Sequence, residues 1–170
     1  QGYSGKEQEK KSKIRGREYL STYFDLQTKP KNPPVGIEEL FRIKLSEKLK
    51  LTGRIDRIDD TGNGTIEIID YKTGQAPKTR DPGSDPQLTV YALAATDEGI
   101  YKKSPEQVIV SFYFFESQEK VSATRTKEQL DAMKQEVAQK AEEISKSDFR
   151  PTPGKYCDFC EFRLICEAWQ

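Results

Sequence analysis

The sequence predicts an α/β fold in which helices flank a central mixed sheet. Two runs rich in β-branched residues, 53–59 and 66–74, lie on either side of residues 60–64, whose Gly and Asn residues are typical of a turn. The apolar, aromatic run 108–115 is typical of a buried strand. Apolar residues also recur at helical spacing over residues 127–146. Strands mixed with amphipathic helices in one short chain favour a sheet covered by helices.

The predicted elements alternate between helices, strands and Pro-rich connections. Apolar residues spaced among charged ones predict a helix over residues 5–26. Prolines predict a linker over residues 29–34 and a loop over 73–86, where Pro86 opens a helix that runs to about residue 95. The predicted strands are 36–45, 49–58, 64–71, 108–115 and 120–125, and the last two form a hairpin.

Composition places the chain among globular proteins. Its 170 residues, 34% hydrophobic and 33% charged, suffice for one domain with a core. No apolar run approaches the roughly 20 residues of a membrane span and no signal peptide is visible, so we expect a cytoplasmic protein without membrane contact. The formal net charge of zero is unusual for a stand-alone nucleic-acid binder. If the chain nevertheless binds nucleic acid, either an acidic site offsets the charge of a local basic surface, or attached domains supply the tight binding.

The predicted hairpin brings two carboxylates together. Asp56 and Asp70 lie on its two strands, and Asp70 stands in an apolar context that makes an uncompensated charge costly. The compensating cation is either a metal or Lys72, which projects from the same strand face two residues later. Mg²⁺ takes one or two carboxylates and keeps several waters, so Asp56, Asp70 and the backbone carbonyl of Tyr71 are candidate ligands.

These residues resemble the PD-(D/E)XK nucleases of the RecB type. Asp56, then Asp70-Tyr71-Lys72, then Gln87 and Tyr91 follow the order of the family motifs, and the G-R-I-D-R-I-D and D-Y-K-T-G strings are similar to those of nuclease domains fused to superfamily 1 (UvrD-like) helicases. The resemblance implies a restriction-endonuclease-like core. It also implies a Mg²⁺- or Mn²⁺-dependent deoxyribonuclease, specifically an exonuclease, whose partners are DNA and helicase domains in recombination or repair.

The resemblance also implies roles for single residues. Asp56 and Asp70 would bind metal, Lys72 would act on the water or the phosphate, and Gln87 and Tyr91, four apart on one helix face, would support the lysine and the DNA. A D-x-K tripeptide on its own is more often a surface ion pair. The upstream Asp56, the hairpin and the Gln87–Tyr91 helix face together favour the catalytic interpretation.

Three further charged residues are weaker candidates. Glu38, expected just before the first strand's apolar run, resembles an acidic position that lines the family's site, and is otherwise an exposed residue. Arg54 and Arg57 would contact DNA phosphates, or else pair with carboxylates such as Asp59.

All three cysteines, Cys157, Cys160 and Cys166, form a C-x2-C-x5-C run. Such clustering favours zinc or an iron–sulfur cluster, and both need a fourth ligand. The resemblance implies a [4Fe–4S] cluster that joins this tail, residues 151–170, to the N-terminal end of the 1–150 nuclease core. The fourth, upstream cysteine is absent, as is the histidine that the family usually carries. With a first residue of Gln, these absences suggest a missing N-terminal portion, without which the nuclease is expected to be impaired.

Alternatives remain open for the cysteine run and for the function of the domain. The thiols could be free, could form a Cys157–Cys160 disulfide, or could bind a metal weakly with an outside ligand. The whole domain could instead be a catalytically inactive nuclease fold that serves as a DNA-binding or docking module.

Overall fold

The computed structural model describes residues 3–28, 34–77 and 81–169. Within them, helix α1 spans Lys6–Gln27, α2 Pro86–Thr96 and α3 Lys127–Lys146, and the strands are β1 Pro34–Lys44, β2 Lys50–Gly62, β3 Thr65–Lys72, β4 Val108–Phe114 and β5 Glu119–Ala123. The predicted α/β class with a mixed sheet is confirmed, and every predicted helix and strand has a counterpart. Most of the predicted linker, residues 29–33, and residues 78–80 of the predicted loop lie outside the described residues.

The five strands form one sheet in the order β1-β2-β3-β4-β5. Neighbours pair antiparallel except β3 and β4, which run parallel. A parallel pair needs a crossover connection, and the segment carrying α2 supplies it. The crossover lays α2 against the sheet next to the end of β3, where Asp70 and Lys72 lie.

The core fills the space between the sheet and α2. Fully or nearly fully buried residues come from every layer: Ile55, Ile58, Ile68, Leu88, Ala94, Val110 and Phe112. The near-continuous apolar sequence of α2 follows from this position, because its residues from Leu88 to Ala95 are mostly buried. A rigid, buried helix is therefore the element that faces Asp70.

Two details of the strands differ from the prediction. The turn predicted at residues 60–64 is shorter, because β2 continues to Gly62 and only Gly62, Asn63 and Gly64 reverse the chain, each with positive φ. Glu38 lies inside β1, within the predicted strand 36–45, but has a φ of 53° that the sequence did not indicate. A positive φ is uncommon outside glycine, so β1 is locally irregular at this residue.

The chain divides into two compact units, Gln1–Gln135 and Glu136–Gln170. The first contains the sheet and its core. In the second, short 3₁₀ turns follow the end of α3, and none of its described residues, 136–169, is buried. Across the described parts of the chain, no helix is both long and apolar enough to cross a membrane.

Gly53 leaves room for the ring of Phe41. A Cβ at position 53 would lie 2.5 Å from Phe41 Cζ, and Phe41 is buried with its ring centroid 6.3 Å from that of Tyr91. We expect Gly53→Ala to lower the free energy of unfolding by about 1–3 kcal/mol through overpacking. Gly16→Ala, in α1 with nothing within 4 Å of the added Cβ, should instead raise it by up to about 1 kcal/mol. Urea unfolding of both variants measures this contrast, and equal effects would contradict it.

Candidate active site

Asp70 lies near the end of β3 and is 3% exposed. Its Oδ1 accepts hydrogen bonds from Gln87 Nε2 at 2.8 Å and from Tyr91 Oη at 2.9 Å. Its Oδ2 is buried and receives no hydrogen bond from the described residues. Lys72 Nζ forms an ion pair with Oδ2 at 2.6 Å. Asp70 thus presents one anchored oxygen and one oxygen with coordination capacity left.

Asp56 is brought to Asp70 by the hairpin, as predicted. The register pairs Arg57 with Ile69, so the next step places Asp56 opposite Asp70. The Tyr71 backbone N–H donates to Asp56 Oδ2 at 2.9 Å. Asp56 is half-buried and therefore open to solvent on one side. Asp56 and Asp70 are therefore cross-strand neighbours where β2 and β3 end their pairing.

Lys72 is held by the same cluster. Its Nζ donates to Gln87 Oε1 at 2.9 Å and lies 5.0 Å from the centroid of the Phe112 ring. Its side chain keeps 28% of its surface exposed. An ammonium between a carboxylate, an amide oxygen and an aromatic face keeps its charge compensated while its tip can still reach a bound anion.

Gln87 joins the members of the cluster. Its amide oxygen accepts from Lys72, while its Nε2 donates both to Asp70 and to Tyr91 Oη at 2.9 Å. Burial raises the pKa of Tyr91, and the charge of Asp70 adds to this, so the hydroxyl stays protonated and donates to Asp70. The structure therefore brings together Asp70, Lys72, Gln87 and Tyr91, as the sequence predicted.

The first turn of α2 places Gln87 in this network. Asp85 is the N-cap, and its side chain accepts from the backbone N–H groups of Gln87 and Leu88 at 3.0 and 3.2 Å. Pro86 at the first helical position favours the same start. Sequence reasoning missed Asp85, although an Asp directly before a helix-opening Pro is a recognisable cap signal.

Tyr71 connects the site to the other face of the sheet. Its backbone N–H donates a hydrogen bond to Asp56, while its hydroxyl makes a short hydrogen bond with the hydroxyl of Tyr23 on α1. The two rings meet edge to face with centroids 5.7 Å apart. The side chain of Tyr71 thus anchors the backbone whose carbonyl was predicted as a metal ligand, and that ligand role stays a prediction.

The weaker candidates lie outside the cluster. Glu38 is exposed and forms an ion pair with Arg54 Nη1 at 3.3 Å. Arg57 pairs with Asp59 at 2.7 Å and donates to Tyr23 Oη at 2.9 Å, on the α1 side. The pairing of Arg57 with Asp59 matches the alternative considered from the sequence. DNA contacts by Arg54 and Arg57, and a lining role for Glu38, stay predictions.

The cysteines belong to the second unit. All three are free thiols, with Cys160 exposed and Cys157 and Cys166 half-buried. The Gly154 backbone N–H lies 3.3 Å from Cys157 Sγ, a weak hydrogen bond to sulfur. Within the described ranges, no three His, Cys, Asp or Glu side chains are grouped closely enough to hold a metal ion.

The family model of the PD-(D/E)XK nuclease superfamily matches residues 2–167. The chain belongs to this superfamily. The predicted resemblance is therefore confirmed, and the mixed sheet with its flanking helices is the restriction-endonuclease-like fold of such a nuclease. The two carboxylates, the lysine and the glutamine of the cluster lie within the matched region.

Two curated proteins resemble parts of this PD-(D/E)XK chain. A subunit of an ATP-dependent helicase/deoxyribonuclease from Streptococcus uberis is 34% identical over 79 residues, which are 45% of the chain and 7% of that protein. The Gene 69 protein of Mycobacterium phage L5 is 29% identical over 145 residues, which are 81% of the chain and 46% of that protein. The chain thus spans less than half of either relative. The first similarity supports the RecB-type subgroup.

A solved structure shares the fold. The crystal structure of SSO0001 matches with a TM-score of 0.51 at 20% identity, covering 92% of this chain and 70% of that chain. At this identity the likeness shows the common fold alone.

Proposed function

We propose that this PD-(D/E)XK chain is a divalent-metal-dependent deoxyribonuclease that hydrolyses phosphodiester bonds. The observation that carries the proposal is the convergence of Asp56, Asp70 and Lys72 with Gln87 at the end of β3. Lys72 Nζ lies 2.6 Å from a buried Asp70 oxygen that receives no hydrogen bond from any described residue. A surface ion pair without function would not need two further donors from α2 on the same carboxylate.

The residues fit a Mg²⁺ or Mn²⁺ ion. Two carboxylates and a backbone carbonyl offer oxygen ligands only, which suits hard cations, and Mg²⁺ needs few protein ligands because it keeps waters and binds substrate phosphate. Asp70 Oδ2, Asp56 and the Tyr71 carbonyl would hold the ion. When bound, the ion supplies charge stabilisation at the phosphate and lowers the pKa of a coordinated water.

The remaining side chains orient the reacting groups. Gln87 Oε1 directs the Lys72 ammonium, which is placed to stabilise charge that develops on a scissile phosphate or to orient the attacking water. Tyr91 and Gln87 fix Asp70 through Oδ1 and so leave Oδ2 for the cation. The anchored carboxylate needs no reorganisation during the reaction, which is the condition for efficient electrostatic stabilisation.

Exonuclease action within a helicase–nuclease in recombination or repair is the finer part of the proposal. It is supported by the similarity to a protein named as a helicase/deoxyribonuclease subunit. It also agrees with the formal net charge of zero, since attached helicase domains would supply tight DNA binding.

The test is degradation of labelled linear and circular DNA, single- and double-stranded, with Mn²⁺, Mg²⁺ or EDTA. We expect metal-dependent loss of linear DNA and protection of closed circles, as an exonuclease requires a free end. Cleavage of circles at the same rate would refute the exonuclease assignment and leave the nuclease. Cleavage by neither the chain nor a longer protein that contains it would favour the alternative, a catalytically inactive DNA-binding or docking module.

We further propose that Cys157, Cys160 and Cys166, which this structure does not group closely enough to hold a metal ion, come together on an iron–sulfur cluster in a longer protein that supplies the fourth ligand. None of residues 136–169 is buried, so this unit lacks a core of its own and a metal centre would supply the missing folding energy. We expect a longer protein that contains this chain, purified anaerobically, to retain iron and sulfide, and the Cys160→Ser variant of that protein to lose most of both. Elemental analysis that finds zinc without sulfide would contradict the cluster.

A further inference from the structure

Arg125 follows β5 and is only 3% exposed. Its Nε donates to Thr89 Oγ1 at 2.7 Å, and its Nη1 to the Thr124 carbonyl at 3.0 Å. Its Nη2 donates to the carbonyl oxygens of Pro82 at 2.7 Å and Asp85 at 3.1 Å. One guanidinium thus joins the end of β5, the loop before α2 and the first turn of α2.

Burial of a guanidinium costs more free energy than burial of an apolar side chain of similar size. Its charge must leave water, and an apolar side chain of similar size would pack at lower cost. The acceptors of its hydrogen bonds are a hydroxyl and backbone carbonyls, which are uncharged groups. Burial lowers the pKa of Arg125, and the charges of Asp85 and Asp81 oppose this. What the side chain provides is a planar fork of donors with fixed directions.

The groups that Arg125 binds control the start of α2. The Asp85 carbonyl also accepts from Thr89 Oγ1 at 2.7 Å and from the Thr89 backbone N–H at 3.0 Å. The Asp85 side chain caps the N–H of Gln87 at 3.0 Å. Arg125 therefore binds the N-cap residue Asp85 and Thr89 in the first turn of α2. Gln87, in the same turn, contacts Lys72 and Asp70.

We propose that Arg125 is a positioning residue, which through Asp85 and Thr89 sets the first turn of α2 so that Gln87 and Tyr91 meet the Asp70–Lys72 pair. This role rests on the proposed nuclease function. Arg125 touches none of the reacting groups, and its effect on cleavage passes entirely through α2. Displacement of positioned groups by about 1 Å can cost on the order of 100-fold in rate.

The kinetic test compares Arg125→Lys and Arg125→Gln with Arg42→Gln, an exposed arginine on β1. We expect kcat to fall about 10-fold for the lysine variant and about 100-fold for the glutamine variant, with Mn²⁺ affinity within about twofold of wild type. In a Gln87→Ala/Tyr91→Phe background, Arg125→Gln should cost less than about threefold, because its effect passes through those side chains. The same loss in both backgrounds would overturn the proposal.

A second measurement does not depend on cleavage. The ¹⁵N–¹H signals of the Gln87 side-chain amide report its bonds to Asp70 and Tyr91. We expect them to move toward free-amide positions in Arg125→Gln, to move partly in Arg125→Lys, and to stay in Arg42→Gln. Unchanged signals in folded Arg125→Gln protein would overturn the positioning role, even if thermal stability falls. Shifted signals in Arg125→Gln, together with failure of both the wild-type chain and a longer protein that contains it to cleave DNA, would refute the nuclease proposal but not the positioning role.

Discussion

Asp70→Asn is expected to reduce DNA cleavage by a factor of at least about 10³ while the fold persists. The amide keeps the volume and one oxygen, so the hydrogen bonds from Gln87 and Tyr91 can be retained. It removes the charge that pairs with Lys72 and that the proposed divalent ion would need. The loss should appear in kcat, measured with saturating linear DNA and Mn²⁺, because the anchored carboxylate acts on the bound reacting groups.

A matched control exists on α3. Asp131→Asn removes a half-exposed carboxylate that pairs with Lys134 at 3.3 Å, and should leave cleavage unchanged within about twofold. Circular dichroism and thermal unfolding of both variants would show that the fold is retained. Full activity of a folded Asp70→Asn protein would mean that the cluster is not the catalytic site. Metal titration by calorimetry should also show weaker Mn²⁺ binding in this variant only.

Local spacing explains why most of the cluster could be predicted. Asp70 and Lys72 share a face because a strand repeats every two residues, and Gln87 and Tyr91 share a face because a helix nearly repeats every four. The turn residues between the strands make Asp56 a cross-strand neighbour. These relations hold over a few residues and need no knowledge of the tertiary fold.

Arg125 and Glu38 show where sequence reasoning ends. Arg125 is 36 residues from Thr89, and nothing near it in sequence indicates that β5 ends beside the first turn of α2. Glu38 lies inside the predicted strand, but its positive φ and its ion pair with Arg54 arise where β1 pairs with β2, and its neighbours Ile37 and Glu39 face Arg57 and Ile55 there. Both depend on contacts between distant segments. Such contacts are set by packing, and no local pattern encodes them.

Lys72 would play two roles at the proposed metal site, one in metal binding and one in catalysis. Its ammonium lies 2.6 Å from Asp70 Oδ2, the oxygen proposed as a metal ligand. A divalent ion on the same oxygen would displace the ammonium, for which Gln87 Oε1 at 2.9 Å offers another partner. In the proposed mechanism Lys72 would therefore compete with the metal ion for Asp70 and then act on the phosphate.

Lys72→Met should therefore change binding and catalysis in opposite directions. We expect Mn²⁺ affinity to rise by up to about tenfold, because a like charge beside the ion is removed. Cleavage should fall by about 10²–10³-fold, the usual cost of losing one donor to a transition-state oxygen. Without metal the variant should be less stable by about 1–3 kcal/mol, since Asp70 loses its ion-pair partner, and saturating Mn²⁺ should restore that stability.

Lys120→Met is the matched control for this prediction. Lys120 pairs with Glu67, another carboxylate that is largely buried, at 2.7 Å, so its loss should destabilise the protein to a similar extent. Glu67 has other partners, with Ser111 donating to it at 2.6 Å, and takes no part in the cluster at Asp70. Mn²⁺ should not rescue Lys120→Met, and its metal affinity should match wild type. If the lysine competes with the metal, removing its ammonium frees an oxygen ligand and strengthens Mn²⁺ binding. Weaker Mn²⁺ binding by Lys72→Met would therefore show that the lysine supports metal binding instead.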